Sequence, residues 1–223
     1  MNKALFIRAI TRFFAGLVLV AALLFIPAGT WSYPQAWLLL GILFVPMFIA
    51  GLVMMQKNPE LLKKRLNAKE QESEQREVII FSGIMFLAAF ISAALSFRFG
   101  WLMLPYPVSV IAAIIFLAAY ALYAEVLREN TYLSRTIEVQ EDQKVIDTGL
   151  YGIVRHPMYM ATVLLFLAMP LVLGSVISFV IMLCYIPIII KRIRNEEQVL
   201  TKGLQGYPEY KEKVKYRLLP FIW

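Results

Sequence analysis

Residues 157–190 read Pro-Met-Tyr-Met-Ala-Thr-Val-Leu-Leu-Phe-Leu-Ala-Met-Pro-Leu-Val-Leu-Gly-Ser-Val-Ile-Ser-Phe-Val-Ile-Met-Leu-Cys-Tyr-Ile-Pro-Ile-Ile-Ile, with no formal charge among them. One membrane span needs about 20 apolar residues to cross roughly 30 Å of hydrocarbon, so this run is too long for one ordinary span. Gly174-Ser175 stands near its middle. A turn there predicts a hairpin of two short hydrophobic helices, spanning or re-entrant.

Upstream lie four more blocks with little or no charge: Phe13–Gly29, Gln35–Gln56, Val78–Phe97 and Leu102–Ala124. Each is long enough for one span. With the hairpin they predict six hydrophobic helices. The chain is 60% hydrophobic and 17% charged, with a mean hydropathy of +0.68. Soluble domains run at about 45–50% apolar and about 25% charged. The expected fold is therefore all-α: a multi-pass transmembrane bundle of four single spans plus a C-terminal helical hairpin. A cleaved signal peptide at residues 1–29 fits the basic start but lacks a convincing small-x-small cleavage site.

Charge sets the expected orientation. Basic residues gather in 1–12, 56–77, 126–156 and 191–223, whereas Thr30–Pro34 has no charge and Phe97–Tyr106 only Arg98. All fifteen acidic residues fall on the same side as the basic clusters. The positive-inside rule then predicts cytoplasmic termini and cytoplasmic long loops, in a bacterial inner (plasma) membrane. Topology and anionic headgroups account for the net charge of +7. Nothing in the chain resembles a nucleic-acid module. Cys184 is the only cysteine and His156 the only histidine. That excludes an internal disulfide and a Cys/His zinc cluster, and no metal is expected.

The chain reads as one domain without internal repeats: N-terminal spans in 1–125 and a chemistry-bearing region in 126–223. Lys57–Glu77 mixes charge with helix formers and predicts an interfacial connecting helix, with Asn58-Pro59 as its start. No ionisable group lies deep in a span, unlike an ion pump or voltage sensor. No glycine-rich nucleotide loop and no His-Glu-x-x-His occur.

Two polar stretches flank the hairpin. One is Gly149-Leu-Tyr151-Gly-Ile-Val-Arg155-His156-Pro157-Met-Tyr159; the other runs from Arg192 through Glu196-Glu197 to Gly206-Tyr207-Pro-Glu-Tyr210. Folding the hairpin back brings them together. Pro157 suits the first turn of a helix, which puts His156 near its N-cap, beside free N–H groups that favour an anion. His156 fits either a structural or a catalytic role. Tyr151 and Tyr159 fit either interface anchors or the walls of a pocket. Arg192 and Glu196, one turn apart, either pair with each other or divide the labour between an anionic substrate and a hydrogen-bonding ligand.

Gly149-Leu-Tyr151-x-x-x-Arg155-His156-Pro157-x-Tyr159, followed by Arg192-x-x-x-Glu196-Glu197, resembles the isoprenylcysteine carboxyl methyltransferase family. That family is grouped with the phospholipid N-methyltransferases. The resemblance covers roughly residues 126–223. It implies S-adenosyl-L-methionine as methyl donor, bound at the cytoplasmic end. It further implies a cofactor pocket from Gln140, Tyr151, His156, Pro157, Tyr159, Glu196 and Glu197, with backbone contacts near Ile146. Arg192 would hold the acceptor carboxylate, and His156 would serve an amine acceptor as base. The acceptor would be a lipophilic small molecule or lipid entering from the membrane, either a carboxylate of the isoprenylcysteine type or a lipid amine. Two other classes stay open: an NADPH-dependent membrane reductase of the steroid-reductase type, and a non-enzymatic membrane protein.

The charge asymmetry makes a prediction of its own. In a Cys184→Ser background, single cysteines replacing Ser32 or Met103 should react with an impermeant reagent outside intact cells. A cysteine at Gln140 should not, and its labelling from outside would reverse the orientation.

Overall fold

The computed structural model describes residues 3–66, 73–133 and 139–223. The turn expected at Gly174-Ser175 is present. Gly174 has φ +75°, in the left-handed region that glycine enters without penalty. Helix α6 (Pro157–Val172) runs into this turn, and α7 (Val176–Met182) and α8 (Tyr185–Gly203) return from it. Ser175 caps α7 by accepting a hydrogen bond from the Ser178 amide at 3.2 Å.

The returning arm is broken at Leu183-Cys184, where a single helix was expected. Pro187 is the physical reason. Its ring would meet the carbonyl of residue 183, four positions back, and it has no N–H to donate there.

Around the hairpin stand α1 (Lys3–Ala28), α2 (Pro34–Lys57), α4 (Ser73–Phe99) and α5 (Tyr106–Glu129), matching the four expected spans. Among the described residues, five apolar helical stretches are long enough to cross a membrane, counting α7 and α8 as one. α6 is the shorter apolar helix. A short helix α3 (Pro59–Leu66) follows α2, and Asn58 Oδ1 caps it by accepting from the Leu61 amide at 3.1 Å. The single connecting helix expected over Lys57–Glu77 is thus α3 followed by residues 67–72, which lie outside the described residues; Ser73–Glu77 already belong to α4. No named strand occurs among the described residues.

The tip of the hairpin is tied to three other elements at one end of the bundle. Leu104 N–H donates to the Gly174 carbonyl at 2.8 Å, and Val176 N–H donates to the Leu102 carbonyl at 3.3 Å. The Tyr33 hydroxyl donates to the Leu173 carbonyl at 2.8 Å. Ser175 and Ser96 join hydroxyl to hydroxyl at 3.0 Å, and Ser178 Oγ donates to the Ala89 carbonyl at 2.8 Å. These bonds satisfy backbone groups that lipid cannot. They also place the tip level with the α4–α5 connection, so both arms traverse the depth of the bundle.

Packing then follows from small residues. Ala93, Ala94, Ala112, Ala113, Ala119 and Ala168 are all buried, letting α4, α5 and α6 approach closely. The outer faces carry Ile79, Ile80, Phe81, Ile111 and Ile114 exposed, as suits lipid. α5 is 24 residues long and α6 is 16. At 1.5 Å per residue, α5 exceeds α6 by about 12 Å. The polar end of α5 therefore stands above the start of α6 and leaves a step there.

Gly174→Ala tests the tip. A methyl at this φ would meet Met103 Cε at 3.2 Å, and the backbone penalty is about 1–2 kcal/mol. Thermal melting in detergent should fall accordingly. Gly83→Ala, in open space within α4, should be neutral or stabilising by up to about 1 kcal/mol.

Candidate active site

The step above α6 is a cleft, and its floor is a buried ion cluster. Pro157 opens α6 and His156 is its N-cap residue, with φ −126°. The backbone N–H groups of Arg155 and His156 donate to the carbonyls of Tyr216 and Arg217, each at 2.9 Å. The C-terminal tail is thereby laid alongside the entry to α6.

Arg155 is buried. Its Nε donates to Glu197 Oε1 at 2.8 Å, and its Nη1 donates to the carbonyls of Val214 at 2.7 Å and Lys215 at 3.0 Å. Arg217 Nε donates to the other oxygen of Glu197 at 2.9 Å. Glu197 is 4% exposed. Two guanidinium groups on one carboxylate are the pairing that such burial requires.

His156 Nε2 lies 3.3 Å from Glu197 Oε1. An ionised carboxylate only accepts, so Glu197 is an acceptor for this ring nitrogen. His156 Nδ1 faces Glu196, whose Oε1 is 4.0 Å away.

On the next turn, Tyr159 collects two charged groups. Its hydroxyl donates to Glu196 and accepts from Arg192 Nε at 2.9 Å. Arg192 Cζ also sits 6.0 Å from the Tyr159 ring centroid. Arg192 and Glu196 thus meet through a phenol from another helix.

The opposite wall comes from residues 129–133 and 139–151 and from the segment after α8. Asn130 Nδ2 donates to the Tyr151 hydroxyl at 3.0 Å, while Asn130 Oδ1 accepts from the Tyr132 amide at 2.9 Å. Gly149 has φ +49°, a conformation that favours glycine, and a Cβ there would lie 2.2 Å from Glu129 Oε1 and displace that carboxylate. Glu129 accepts from Thr148 Oγ1 at 3.0 Å and the Leu150 amide at 3.2 Å, fixing the turn that carries Tyr151. α9 (Tyr207–Lys213) closes this wall, with the Tyr210 hydroxyl donating to the Tyr151 carbonyl at 2.7 Å. Leu204, Tyr207, Tyr210 and Val214 form a small core with Val139, Val145 and Leu200 beneath it. Burial pushes the phenols of Tyr151, Tyr207 and Tyr210 up, so they remain neutral.

Of the residues singled out from the sequence, Ile146, Tyr151, His156, Tyr159, Arg192 and Glu196 line this one cleft. Gln140 sits beside it, its side-chain amide donating to the Tyr132 carbonyl at 2.5 Å. Pro157 starts the helix, and Glu197 lies behind His156 in the floor. Asn130, Tyr132, Tyr207 and Tyr210 also line the cleft but were given no role from the sequence. A motif signal existed for the last two, in Gly206-Tyr207-x-x-Tyr210. For Asn130 and Tyr132 there was none beyond their position just after a span.

Residues 108–202 match the model of the Isoprenylcysteine carboxyl methyltransferase (ICMT) family. The match runs from the first turn of α5 to the end of α8 and includes both motifs read from the sequence. Among solved structures, the eukaryotic intramembrane Ras methyltransferase ICMT (isoprenylcysteine carboxyl methyltransferase) aligns with 96% of this chain and 77% of its own, at TM-score 0.59 and 18% identity. The two share a fold. The Delta(14)-sterol reductase of Mus musculus is 29% identical over 91 residues, which is 40% of this chain. The chain covers 22% of that relative's length. The family resemblance and the all-helical membrane fold of that family are thus both present, and they support a membrane methyltransferase.

Removing Glu197 should be costly. Glu197→Ala leaves two guanidinium groups without their carboxylate. Truncating one partner of a buried pair costs about 3–5 kcal/mol, so the detergent melting temperature should drop sharply. A drop no larger than that of an exposed control, Glu209→Ala, would contradict the role assigned to the cluster.

Proposed function

We propose that this chain binds S-adenosyl-L-methionine in the cleft above α6 and transfers its methyl group to a lipophilic acceptor. The acceptor is a carboxylate of the isoprenylcysteine type or, in the second instance, a lipid amine. The observation that carries this reading is the convergence of Arg192, Tyr159 and Glu196 at the hairpin mouth, inside the segment that matches the family.

The residues suit that ligand. The cleft presents a carboxylate at Glu196 and phenol rings from Tyr132, Tyr151, Tyr159 and Tyr207, groups that attract a cation through charge and ring quadrupole. Among the described residues the buried Tyr207 hydroxyl has no hydrogen-bond partner, a polar atom that a ligand in the cleft would satisfy. When bound, S-adenosyl-L-methionine supplies a methyl group already activated by the sulfonium charge.

The protein then has little chemistry of its own to perform. A carboxylate acceptor is ionised near neutral pH and needs no base. Arg192 offers it a planar fork of donors, and Tyr159 holds that fork through the contact to Nε. An amine acceptor must lose a proton, and His156 would serve as the base for it. Positioning and a partly dry site account for the acceleration. An acceptor arriving from the membrane meets the cleft at the start of α6, where Met158 forms part of the wall.

The partial match to a sterol reductase favours one rival, an NADPH-dependent membrane reductase. Thermal stabilisation decides between them. S-adenosyl-L-methionine, and not NADPH, should raise the melting temperature in detergent; the reverse result would favour the reductase. Labelled methyl should pass from the donor into a total lipid extract.

Variants separate donor from acceptor. His156→Ala and Glu196→Gln should each weaken donor binding by calorimetry. Arg192→Lys keeps the charge but loses the fork, so turnover should fall roughly ten- to a hundredfold, the equivalent of about 1.5–3 kcal/mol in the transition state. Donor affinity should be nearly unchanged in that variant. An equal loss in both would place Arg192 in the donor site instead.

A further inference from the structure

The C-terminal segment Lys211–Trp223 has two faces. Leu218 is buried in the apolar cluster of Met85, Met182, Ile189 and Ile193, and Trp223 packs against it. The opposite face is open: Leu219 is 42% exposed, Ile222 78% and Phe221 86%. Phe221 has φ +66°, a conformation that bulky L-residues avoid. The Trp223 carbonyl accepts from the amides of Arg217, Leu218 and Leu219 at 2.9, 2.9 and 3.1 Å and closes this turn. A tight, disfavoured turn that directs two large apolar side chains away from the protein calls for a partner.

The neighbouring residues indicate which partner. Lys211, Lys213, Lys215 and Arg217 precede the exposed apolar group within a few positions. Lys213 and Lys215 are exposed, and Lys213 pairs with Asp147 at 2.7 Å. Leu218 touches the same cluster as the spanning helices, so the turn stands where the apolar part of the bundle ends. Basic residues beside protruding aliphatic and aromatic side chains at that level match anionic headgroups above hydrocarbon.

We propose that residues 211–222 form a lipid-seated strap. Leu219, Phe221 and Ile222 enter the leaflet at the polar end of the bundle, and the lysines lie on anionic headgroups. The strap is also part of the site: the Tyr216 and Arg217 carbonyls hold the backbone of Arg155 and His156, and Arg217 holds Glu197. Lipid contact at Phe221 therefore steadies the floor of the cleft. This inference does not depend on which molecule the cleft binds.

Depth-dependent fluorescence quenching tests it. The full chain, with Cys184→Ser, carries either Phe221→Cys or Asp142→Cys, each labelled with an environment-sensitive dye. It is reconstituted in phosphatidylcholine vesicles with or without phosphatidylglycerol. The label at 221 should be quenched severalfold more strongly by lipid-borne doxyl groups than by aqueous iodide, and the label at 142 the reverse. Adding phosphatidylglycerol should deepen the doxyl quenching at 221, and high salt should undo that gain. Iodide quenching at 221 equal to that at 142 would overturn the proposal. A 221 label shielded from both quenchers would overturn it too, because protein and not lipid would then cover the turn.

Discussion

A single buried carboxylate, Glu197, holds the polar end of this molecule together. It receives Arg155 on one oxygen and Arg217 on the other, with His156 beside it. These residues come from the entry to α6, from α8 and from the tail, which are otherwise separate in the chain. A charge at the edge of a low-dielectric bundle must be paired or expelled. The pairing here fixes three segments relative to one another. It also orients the His156 ring, with Nε2 toward Glu197 and Nδ1 toward Glu196. The floor of the cleft is thus held by a group that does not line it.

The other end of the bundle supplies the counterpart. The hairpin tip is tied to Tyr33, Ser96 and the residues before α5, so the start of α6 cannot slide along the bundle axis. Because α6 is shorter than α5, a fixed tip means a recessed start, and that recess is the cleft. Its depth comes from a difference in helix length, while its position comes from hydrogen bonds at the far end of the bundle.

Within the cleft, one phenol organises two charges. Tyr159 donates to Glu196 and accepts from Arg192. A hydroxyl can donate and accept at once, so it contacts a carboxylate and a guanidinium from one turn of α8. The neutral tyrosines opposite provide ring surface without adding charge.

Much of this could be read from the residues. Span positions, the turn at Gly174-Ser175 and the one-sided distribution of charge follow from local hydropathy, glycine's freedom and the cost of charge in lipid, all of which act over short stretches. The motif around Arg155-His156-Pro157 and the pair Glu196-Glu197 marked the site for the same reason: their residue types and spacing are written in the chain. Other features depended on contacts between residues far apart in sequence. The separation of Glu197 from Glu196, one into the floor and one onto the wall, follows from the roughly 100° between successive helical residues and from where Arg155 and Arg217 lie. The parts played by Asn130, Tyr132, Tyr207 and Tyr210 arise from loops folding over the hairpin mouth. Periodicity and composition report which residues prefer lipid or water. Which polar group meets which is decided only when burial forces each donor to find its acceptor, and that requires the assembled tertiary structure.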